Sequence, residues 1–217
     1  SRFLDSLAER LPSIGLDVRQ IWRNDRFGRG GDHTEFLNAG FPAIRFSVAV
    51  EDYDHQHQDL RTEKGVKFSD TVDEMDFPYL AKVTRLNVAA LAALASTPPP
   101  PEPMVEGAVS TGTTIKFAPV AGADNYVIRW RRTDANQWQQ ARRVKPKGCA
   151  TDIRVYADTP IPRGEHIATL LCKLDHIRVD DWLFGVSSVS KDGYESPVAS
   201  AVPGGAFKPF VAPPARP

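Results

Sequence analysis

The spacing of apolar residues in the first part of the chain alternates between helical and strand-like periods. Over residues 3–11, apolar side chains recur three and four positions apart, which predicts an amphipathic helix that ends at Pro12 and Gly15. Residues 16–22 and 43–48 instead alternate apolar and polar side chains, as half-buried strands do. The pattern therefore indicates a mixed α/β arrangement at the start of the chain.

Two further helices are predicted before the pattern changes. A short helix over residues 34–39 ends at Gly40, and a long helix over residues 77–95 takes Asp73 or Asp76 as its N-cap. Two strands and about three helices make an incomplete α/β layer, because both edges of such a sheet lack a neighbouring strand. This part of the sequence is therefore expected to be the end of a larger domain.

A proline-rich stretch separates this part from an all-β pattern. Five prolines within residues 97–104 cannot continue a helix and favour a stiff, extended segment. Short strand-like runs follow, and about seven of them in ~100 residues are typical of an immunoglobulin-like β-sandwich. The runs are 113–117, 125–132, 137–144, 151–156, 167–174, 182–190 and 197–202.

The strand pattern also predicts some details of the sandwich. Because side chains alternate along a strand, Tyr126, Ile128 and Trp130 should share one face. Asp192 and Gly193 predict a hairpin turn before the last strand. The predicted organisation is an α/β part over residues 1–97, a proline-rich linker over 98–104, a β-sandwich over 105–203 and a Pro/Gly-rich tail over 204–217.

Composition and charge exclude several classes of protein. The 217 residues carry 27 basic and 27 acidic side chains, and 41% of the residues are hydrophobic, as in a folded protein. Through residue 97 the basic and acidic counts are 12 and 15, and afterwards they are 15 and 12. Neither part has the basic excess of a nucleic-acid-binding domain. The longest apolar run, residues 88–95, is far shorter than the ~20 residues of a membrane-spanning helix.

The chain contains two cysteines, Cys149 and Cys172, with 22 residues between them. In an oxidising compartment they could form one disulfide bridge, and two buried free thiols are the equally open alternative. Two cysteines are too few for a disulfide-dense scaffold or for a cysteine-rich metal site.

The candidate chemistry lies in a segment over residues 25–59 that is rich in histidine and aspartate. It begins with a glycine-rich loop that leads directly into Asp32 and His33. A second cluster follows the predicted strand 43–48, at the kind of strand end where active sites of open α/β sheets collect. The members of this cluster are Asp52, Asp54, His55, His57 and Asp59. Imidazole and carboxylate groups are common zinc ligands, and a solvated polar loop without a metal is the alternative interpretation.

Three runs in the first part resemble the C-terminal portion of two-zinc, co-catalytic aminopeptidases. The runs are RGGDHTEFLNAGFPAIRF, YDHQHQD and FPYLAKVTRLNVAALAALA, and the likeness covers residues 1–101 in order. These enzymes are bacterial exopeptidases, secreted or periplasmic, that are related to glutamate carboxypeptidase and glutaminyl cyclase. In the second part, YVIRWRRT and LFGVSSVSKDGYESP resemble the fibronectin type III module that follows the peptidase domain in some of them.

The resemblance implies roles for individual residues. Asp32 and His33 match a Gly/Ser-Asp-His segment that borders the active-site cleft. His57 matches the last histidine ligand of one zinc, which these enzymes reach through a Tyr-x-x-Gln-His pattern. His55 is the alternative ligand, because His55 and Asp59 reproduce a His-x-x-x-Asp spacing that is found in relatives. Asp32, His33 and Asp59 would then lie in the shell around the metal.

The resemblance also implies that most of the site lies elsewhere. In these enzymes two zinc ions polarise the scissile carbonyl and activate a water, and a glutamate moves the proton. That glutamate and the other metal ligands come from upstream segments, which no run in this sequence matches. The chain is therefore expected to hold at most part of one zinc site, and the catalytic residues are expected upstream. Removal of N-terminal residues from peptides would need that upstream fragment as a partner.

The alternative function is a non-enzymatic binding or adhesion module built around the β-sandwich, with the α/β part as a support. In that interpretation Trp130 and Trp138 would form a platform for a sugar or a peptide, whereas alternate aromatic residues on strands are normally buried. The resemblance to exported enzymes predicts a secreted or periplasmic bacterial protein. In such a compartment it favours a bridge between Cys149 and Cys172.

Overall fold

The computed structural model describes residues 1–22, 28, 30–153 and 168–204. These residues form three α-helices and three β-sheets, one of them mixed. The chain divides into two compact units, Ser1–Leu91 and Ala92–Pro217. At this level the predicted presence of both helices and β-sheets is confirmed. In the described part of the chain, no helix has both the length and the apolar character that a membrane crossing needs.

Two helices build the core of the first unit. Helix α1, Arg2–Arg10, ends as predicted where Pro12 begins a 3₁₀ turn and where Gly15 adopts a φ of 69°. Its apolar face packs with that of helix α3, Phe77–Ser96, because both helices repeat apolar residues at helical spacing. The buried residues of this core are Leu4, Leu7, Ala8, Ile14, Leu86 and Ala90.

The ends of the other helices follow from local chemistry. Of the two candidate caps for α3, the structure uses Asp76, whose Oδ1 accepts a hydrogen bond from the Tyr79 N–H at 2.9 Å. Helix α2, Asp32–Asn38, begins at Asp32 rather than at the predicted position 34. It ends just before Gly40, whose φ of 85° is readily adopted only by glycine.

The predicted strands over residues 16–22 and 43–48 are not strands in the structure. Both segments contribute to the core of the first unit, since Leu16, Val18 and Phe46 pack against it. Neither segment belongs to a β-sheet. A strand needs a neighbour for its backbone N–H and C=O groups, and the described residues offer none to either segment. The alternating pattern therefore predicted the inward position of these three side chains but not the hydrogen bonding, and Ile21, Ile44 and Val48 of the same segments are exposed.

A small hairpin that the sequence did not predict lies in the first unit. Strands β1, Arg61–Glu63, and β2, Val66–Phe68, pair antiparallel. Lys64 and Gly65 form the two-residue turn, with φ values of 51° and 83°. Positive φ at both positions is the geometry of the tight turns that join twisted strands. Lysine before the glycine hides the signal, because asparagine or aspartate is the usual residue there.

Strands build the second unit. The strands are β3 Met104–Glu106, β4 Thr113–Phe117, β5 Asn125–Arg131, β6 Gln140–Val144, β7 Ala150–Ile153, β8 Ala168–Leu174, β9 Leu183–Val189, β10 Ala199–Ser200 and β11 Val202–Pro203. One sheet has the order β10-β9-β5-β6, and the other has the order β11-β3-β4-β8-β7. Among the described strands, only the pair of β11 with β3 is parallel.

Each of the seven predicted runs contains at least part of an observed strand. Residues 154–156 and 167 of two runs lie outside the described residues, as do residues 205–217 of the predicted tail. The run over 197–202 is divided between β10 and β11, and β3 was not predicted. The turn at Gly193, with a φ of 91°, leads into an antiparallel bridge between Val189 and Glu195. The predicted hairpin turn is therefore confirmed.

The two larger sheets share one apolar core. Tyr126 and Ile128 of β5 are fully buried and Trp130 packs partly against them, which confirms their common face. The Tyr126 ring meets Phe117 edge to face, with centroids 4.8 Å apart, and its hydroxyl accepts the Val120 N–H at 2.8 Å. The other buried members come from both sheets: Val105, Ile115, Leu170, Cys172, Leu174, Phe184 and Val186.

Cys149 and Cys172 are joined by a disulfide bond, so the bridge and not the pair of free thiols is present. Strands β7 and β8 are antiparallel, with Ala150 opposite Leu171. In the same register, Cys149 and Cys172 face each other one position further on. Their Cα atoms are 4.6 Å apart, the spacing of a non-hydrogen-bonded antiparallel pair. The bridge therefore ties the edge strand β7 to its neighbour.

The proline-rich stretch runs along the second unit. The Ser188 hydroxyl donates to the Pro99 carbonyl at 2.6 Å, and the Val202 N–H donates to the Pro103 carbonyl at 3.0 Å. Extended prolines leave their carbonyls free to accept such bonds, because they make no helical hydrogen bonds. The predicted boundaries of the linker, after residues 97 and 104, stay a prediction.

Replacing Gly185 by alanine should destabilise the second unit by about 1–3 kcal/mol, the usual range for overpacking. A Cβ at Gly185 would lie 2.6 Å from Val198 Cγ1 and 2.8 Å from both the Ala199 carbonyl oxygen and Trp138 Cη2. The change is checked by urea unfolding followed by tryptophan fluorescence. Gly148→Ala is the matched control, since a Cβ there meets no atom within 4 Å. Equal midpoints for the two variants would contradict the prediction.

Candidate functional site

Asp32 and His33 lie at the start of α2, beside a shallow depression of about 340 Å³. Gly31 precedes the helix, and Asp32 and Glu35 in the first turn are favoured by the positive end of the helix dipole. The Arg45 Nη1 atom donates to the Gly30 carbonyl at 2.9 Å and so holds the glycine-rich loop against the segment over residues 43–48. Gly31, Asp32, His33, Ile44 and Arg45 line the depression. The sequence-predicted pair therefore borders an open surface recess.

The histidine loop, residues 52–59, opens with a turn that its own side chains stabilise. Asp52 Oδ1 accepts a hydrogen bond from the Asp54 N–H at 3.1 Å and caps the 3₁₀ turn Tyr53–His55. The Gln58 side chain closes the loop by donating to the Tyr53 carbonyl at 2.8 Å. These local bonds place His55 at the end of the turn and His57 just beyond it.

His55 points inward. Its Nδ1 lies 2.8 Å from the hydroxyl of Ser69, which is fully buried, and 3.6 Å from Glu74 Oε1. The Ser69 hydroxyl donates to the same Glu74 oxygen at 3.3 Å. A hydroxyl that donates to a carboxylate accepts from the imidazole, so the His55 proton belongs on Nδ1 in this arrangement. The side chain of His55 is only 24% exposed.

Glu74 also attracts a lysine from the hairpin. Lys67 Nζ lies 3.2 Å from Glu74 Oε1 and 3.7 Å from Asp73 Oδ2. The hydrogen bond to Glu74, the charge of Glu74 and the charge of Asp73 raise the pKa of Lys67 above its ordinary value. The Glu74 carboxylate, which accepts the hydrogen bond of the Ser69 hydroxyl, is therefore held in place by the positive charge of Lys67.

His57 differs from His55 in both exposure and backbone. The residue is exposed, and its φ of 55° lies in the left-handed region that L-residues rarely adopt. Its N–H donates to Asp70 Oδ2 at 2.8 Å. Asp59 is exposed too, and its backbone carbonyl accepts a hydrogen bond from Arg61 Nη1 at 3.3 Å. The loop thus directs one imidazole inward and leaves the other on the surface.

The described residues do not make a complete metal site. No group of three or more histidine, cysteine, aspartate or glutamate side chains in that part of the chain could hold a metal ion. A catalytic zinc takes about three protein ligands, and the described residues bring no such set together. His55 is brought together with Ser69 and Glu74, and Asp32 and His33 with Arg45, but the two groups do not join into one centre.

The sequence analysis missed the residues that brace the histidine loop. Ser69, Asp70 and Glu74 lie in a polar segment, residues 69–74, that follows the unpredicted hairpin. They contact the loop across 13 or more positions of sequence, a separation that no local periodicity reveals. The only available signal was the density of serine, aspartate and glutamate immediately before the cap of α3.

Comparison with known proteins shows what the chain is related to. No family model matches the sequence. The sequence is 35% identical to a "Probable zinc metalloprotease" of Pyrenophora tritici-repentis over 196 residues. The aligned part covers 88% of this chain and 36% of the relative. The sequence is 34% identical over 194 residues, 88% of the chain, to a protein with the same description from Leptosphaeria maculans, of which it covers 40%. A third such protein, from Pyricularia oryzae, is 33% identical over 198 residues, 87% of the chain and 35% of the relative.

The chain is therefore homologous to fungal proteins described as probable zinc metalloproteases. Matches over 87–88% of its length include residues of both units, so the relationship is not confined to one of them. The chain spans between 35% and 40% of the length of these relatives. The resemblance to zinc peptidases found in the sequence is thus confirmed at the level of zinc metalloproteases.

Proposed function

We propose that the chain is the C-terminal portion of a zinc-dependent aminopeptidase that removes N-terminal residues from peptides. The observation that carries the proposal is the homology to zinc metalloproteases over 88% of the chain. Within that homology, the choice of an exopeptidase is supported by the three runs quoted above, which resemble co-catalytic aminopeptidases. The complete enzyme would hold two zinc ions, and this chain would contribute to one of them.

His57 is the proposed ligand, and His55 is the alternative. His57 is exposed, so a metal held by groups from outside the chain can reach its imidazole, whereas the side chain of His55 is only 24% exposed. In this proposal Asp32, His33 and Asp59 lie in the surrounding shell, where such groups orient ligands. One imidazole is too little to hold a catalytic zinc, so no step of hydrolysis is assigned to this chain alone.

The proposed partner is an upstream segment that supplies the remaining ligands and the catalytic glutamate. The segments over 16–22 and 43–48 have the alternating pattern of strands but no neighbouring strand among the described residues. Some of their apolar side chains remain exposed: Ile21 is 61% exposed, Ile44 43% and Val48 42%. Strands from the upstream segment would pair with these backbones and cover these side chains. The greater length of the relatives supports such a segment.

For the second unit we propose a fibronectin type III-like β-sandwich over residues 105–203. Two sheets around one core, with the strand orders given above, support that assignment. The alternative role as a sugar- or peptide-binding module gains no support from the tryptophans. Of the two tryptophans of the predicted platform, Trp130 is partly buried against the core, and the guanidinium of Arg131 lies 5.4 Å from the centre of the Trp138 ring. One face of the Trp138 ring is therefore covered.

We propose a secreted protein. The bond between Cys149 and Cys172 supports this, because disulfides persist in oxidising compartments. The relatives named above are fungal, and a bacterial source with a periplasmic location stays a prediction of the sequence analysis.

The proposal is tested with the full-length protein, meaning this chain together with its upstream segment. Purified enzyme is assayed on aminoacyl p-nitroanilides and on the same compounds with an acetylated amino group, before and after zinc is removed with a chelator. We expect turnover of the free-amine substrates only, lost with the metal and restored by zinc. Equal cleavage of the acetylated compounds would contradict an aminopeptidase.

The isolated chain provides the second half of the test. We expect no zinc-dependent turnover from residues 1–217 alone, because the described residues hold no complete metal site. Addition of the separately produced upstream segment should restore activity if it completes the sheet. Zinc-dependent turnover by the pure chain would refute the need for an upstream partner.

A further inference from the structure

Helix α3 carries more apolar surface than the first unit covers. One side of the helix packs in the core of that unit through Leu86 and Ala90, which are both buried. On another side, a second set of residues recurs three or four positions apart, the spacing that places side chains along one line of a helix. These residues form the outer stripe of α3: Phe77, Leu80, Thr84, Val88 and Leu91.

The outer stripe is exposed, although four of its five side chains are large and apolar. Leu91, for example, is 68% exposed, whereas Leu86 on the buried side of the same helix is 1% exposed. The charged residues of α3, Lys82 and Arg85, are not members of the stripe. Contiguous exposed apolar surface of this kind marks a site of interaction.

The one polar side chain of the stripe is already satisfied within the helix. The Thr84 hydroxyl donates to the Leu80 carbonyl at 2.9 Å. A polar group is buried at little cost when it keeps its hydrogen bond, so a partner can cover Thr84 without leaving the hydroxyl unpaired. The whole stripe is therefore suited to an apolar partner surface.

The size of the stripe and the length of the relatives indicate which partner covers it. From Phe77 to Leu91 the stripe is ~21 Å long and ~10 Å wide. This is far below the ~800 Å² that each partner of a stable complex buries, so the stripe is too small to hold a second copy of the chain by itself. A segment of the same polypeptide needs no such area, because the covalent connection keeps it at a high effective concentration. The related zinc metalloproteases have such additional chain, since the matched region is only 35–40% of their length.

We propose that the outer stripe of α3 is the docking surface for an apolar face of the upstream segment of the same protein. This inference rests on the proposed function, in which an upstream segment completes the enzyme. It adds a helical contact to the strand pairing proposed above. Helix α3 is then packed on two sides, with Leu86 and Ala90 in the core of the first unit and Val88 and Leu91 against the upstream segment. A helix that is apolar around most of its circumference is normally buried in this way.

Hydroxyl-radical footprinting of the unmodified full-length protein measures whether the stripe is covered. Leu86 and Leu91 are a matched pair, because they are the same residue type on one helix and differ in this chain only in exposure. We expect Leu91 to lose nearly all of its reactivity on folding, as Leu86 does. Oxidation of Leu91 in the folded protein at nearly the rate of the unfolded protein would overturn the proposal.

A photocrosslink then identifies the segment that covers the stripe. Phe77→p-benzoylphenylalanine keeps an aromatic ring on the stripe, and Lys82→p-benzoylphenylalanine is the control. Lys82 Nζ lies 3.6 Å from the position of a Cβ on Gly15, so the control should crosslink within the first unit. The crosslink from position 77 should join the upstream segment of the same molecule. A crosslink to a second copy, or to residues 1–217 of the same molecule, would overturn the proposal. If the position-77 variant does not fold, footprinting of the unmodified protein decides.

Failure of the proposed function gives a different result, because neither measurement depends on zinc or on turnover. If the upstream segment covers the stripe in a protein without zinc-dependent aminopeptidase activity, the proposed function is wrong and the docking surface is retained. If an active zinc-dependent enzyme leaves Leu91 freely oxidised, only the docking surface is wrong.

Discussion

His57→Ala in the full-length protein is expected to remove one equivalent of zinc and nearly all peptidase activity. The imidazole of His57 is exposed, and its backbone is held by Asp70 in a conformation that L-residues rarely adopt. Loss of a direct ligand from a site of about three protein ligands leaves the metal poorly held. Zinc content by atomic absorption and turnover on aminoacyl p-nitroanilides are the two measurements.

His55→Ala is the paired comparison. His55 lies in the same loop, but its ring is directed toward Ser69 and Glu74, so it supports the loop from inside. Its removal should lower activity by about 10–100-fold and leave the zinc content near that of the unmodified enzyme. The opposite outcome, in which His55→Ala loses the metal and His57→Ala keeps it, would show that the ligand is two residues earlier than proposed.

The helices could be predicted from the sequence because their signals are local. Apolar spacing, Pro12 with Gly15, and a capping aspartate before α3 each act within a few residues. The choice between Asp73 and Asp76 needed the structure, because either lies close enough to the helix start. The strand-like runs of the second unit were predictable for a similar reason. Alternation along each run is local, and turn residues separate the runs.

The β-structure of the first unit was predicted wrongly, because a strand forms only where a second strand lies beside it to accept and donate backbone hydrogen bonds. The alternation over 16–22 and 43–48 describes an inward-facing set of side chains, which the structure confirms for Leu16, Val18 and Phe46. A ladder also needs a second strand, and no described segment pairs with either of these in a sheet. The short β1–β2 hairpin was missed for the opposite reason: its two strands are paired, but the sequence carries no clear signal for them. The β1–β2 hairpin is formed by pairing and by the Lys64-Gly65 turn. Of its two strands only β2 alternates apolar and polar residues, and its three residues are too few to make a signal.

The histidine loop of the candidate site could be predicted from the sequence, but the residues that hold the loop in place could not. Histidine and aspartate in one short segment are visible in the sequence, so the loop could be found. Which histidine faces inward is decided by Ser69 and Glu74, 14 and 19 residues beyond His55. Such a contact depends on the tertiary fold, which brings residues distant in sequence together and leaves no local pattern in the sequence.

Removing the disulfide with Cys149→Ala and Cys172→Ala together is expected to lower the free energy of unfolding by about 3 kcal/mol. The bond closes a loop with a sequence separation of 23 residues. In the chain-entropy model, a loop of that length restricts the unfolded state by about this amount. Strand β7 should be the first element affected, because among the described residues it has a neighbouring strand on one side only. Urea unfolding measures the total effect, and hydrogen exchange at residues 150–153 measures the local one.

Part of that loss could come from packing, because Cys172 is 2% exposed and belongs to the core of the second unit. Cys149→Ala with Cys172→Val separates the two contributions, since valine fills the volume of the buried sulfur without forming the bond. If the cross-link is the main source of stability, the valine variant should lose nearly as much as the double alanine variant. Reduction of the unmodified protein with dithiothreitol should then give a similar decrease. A valine variant as stable as the oxidised protein would show that the bridge contributes packing volume and little restriction of the unfolded chain.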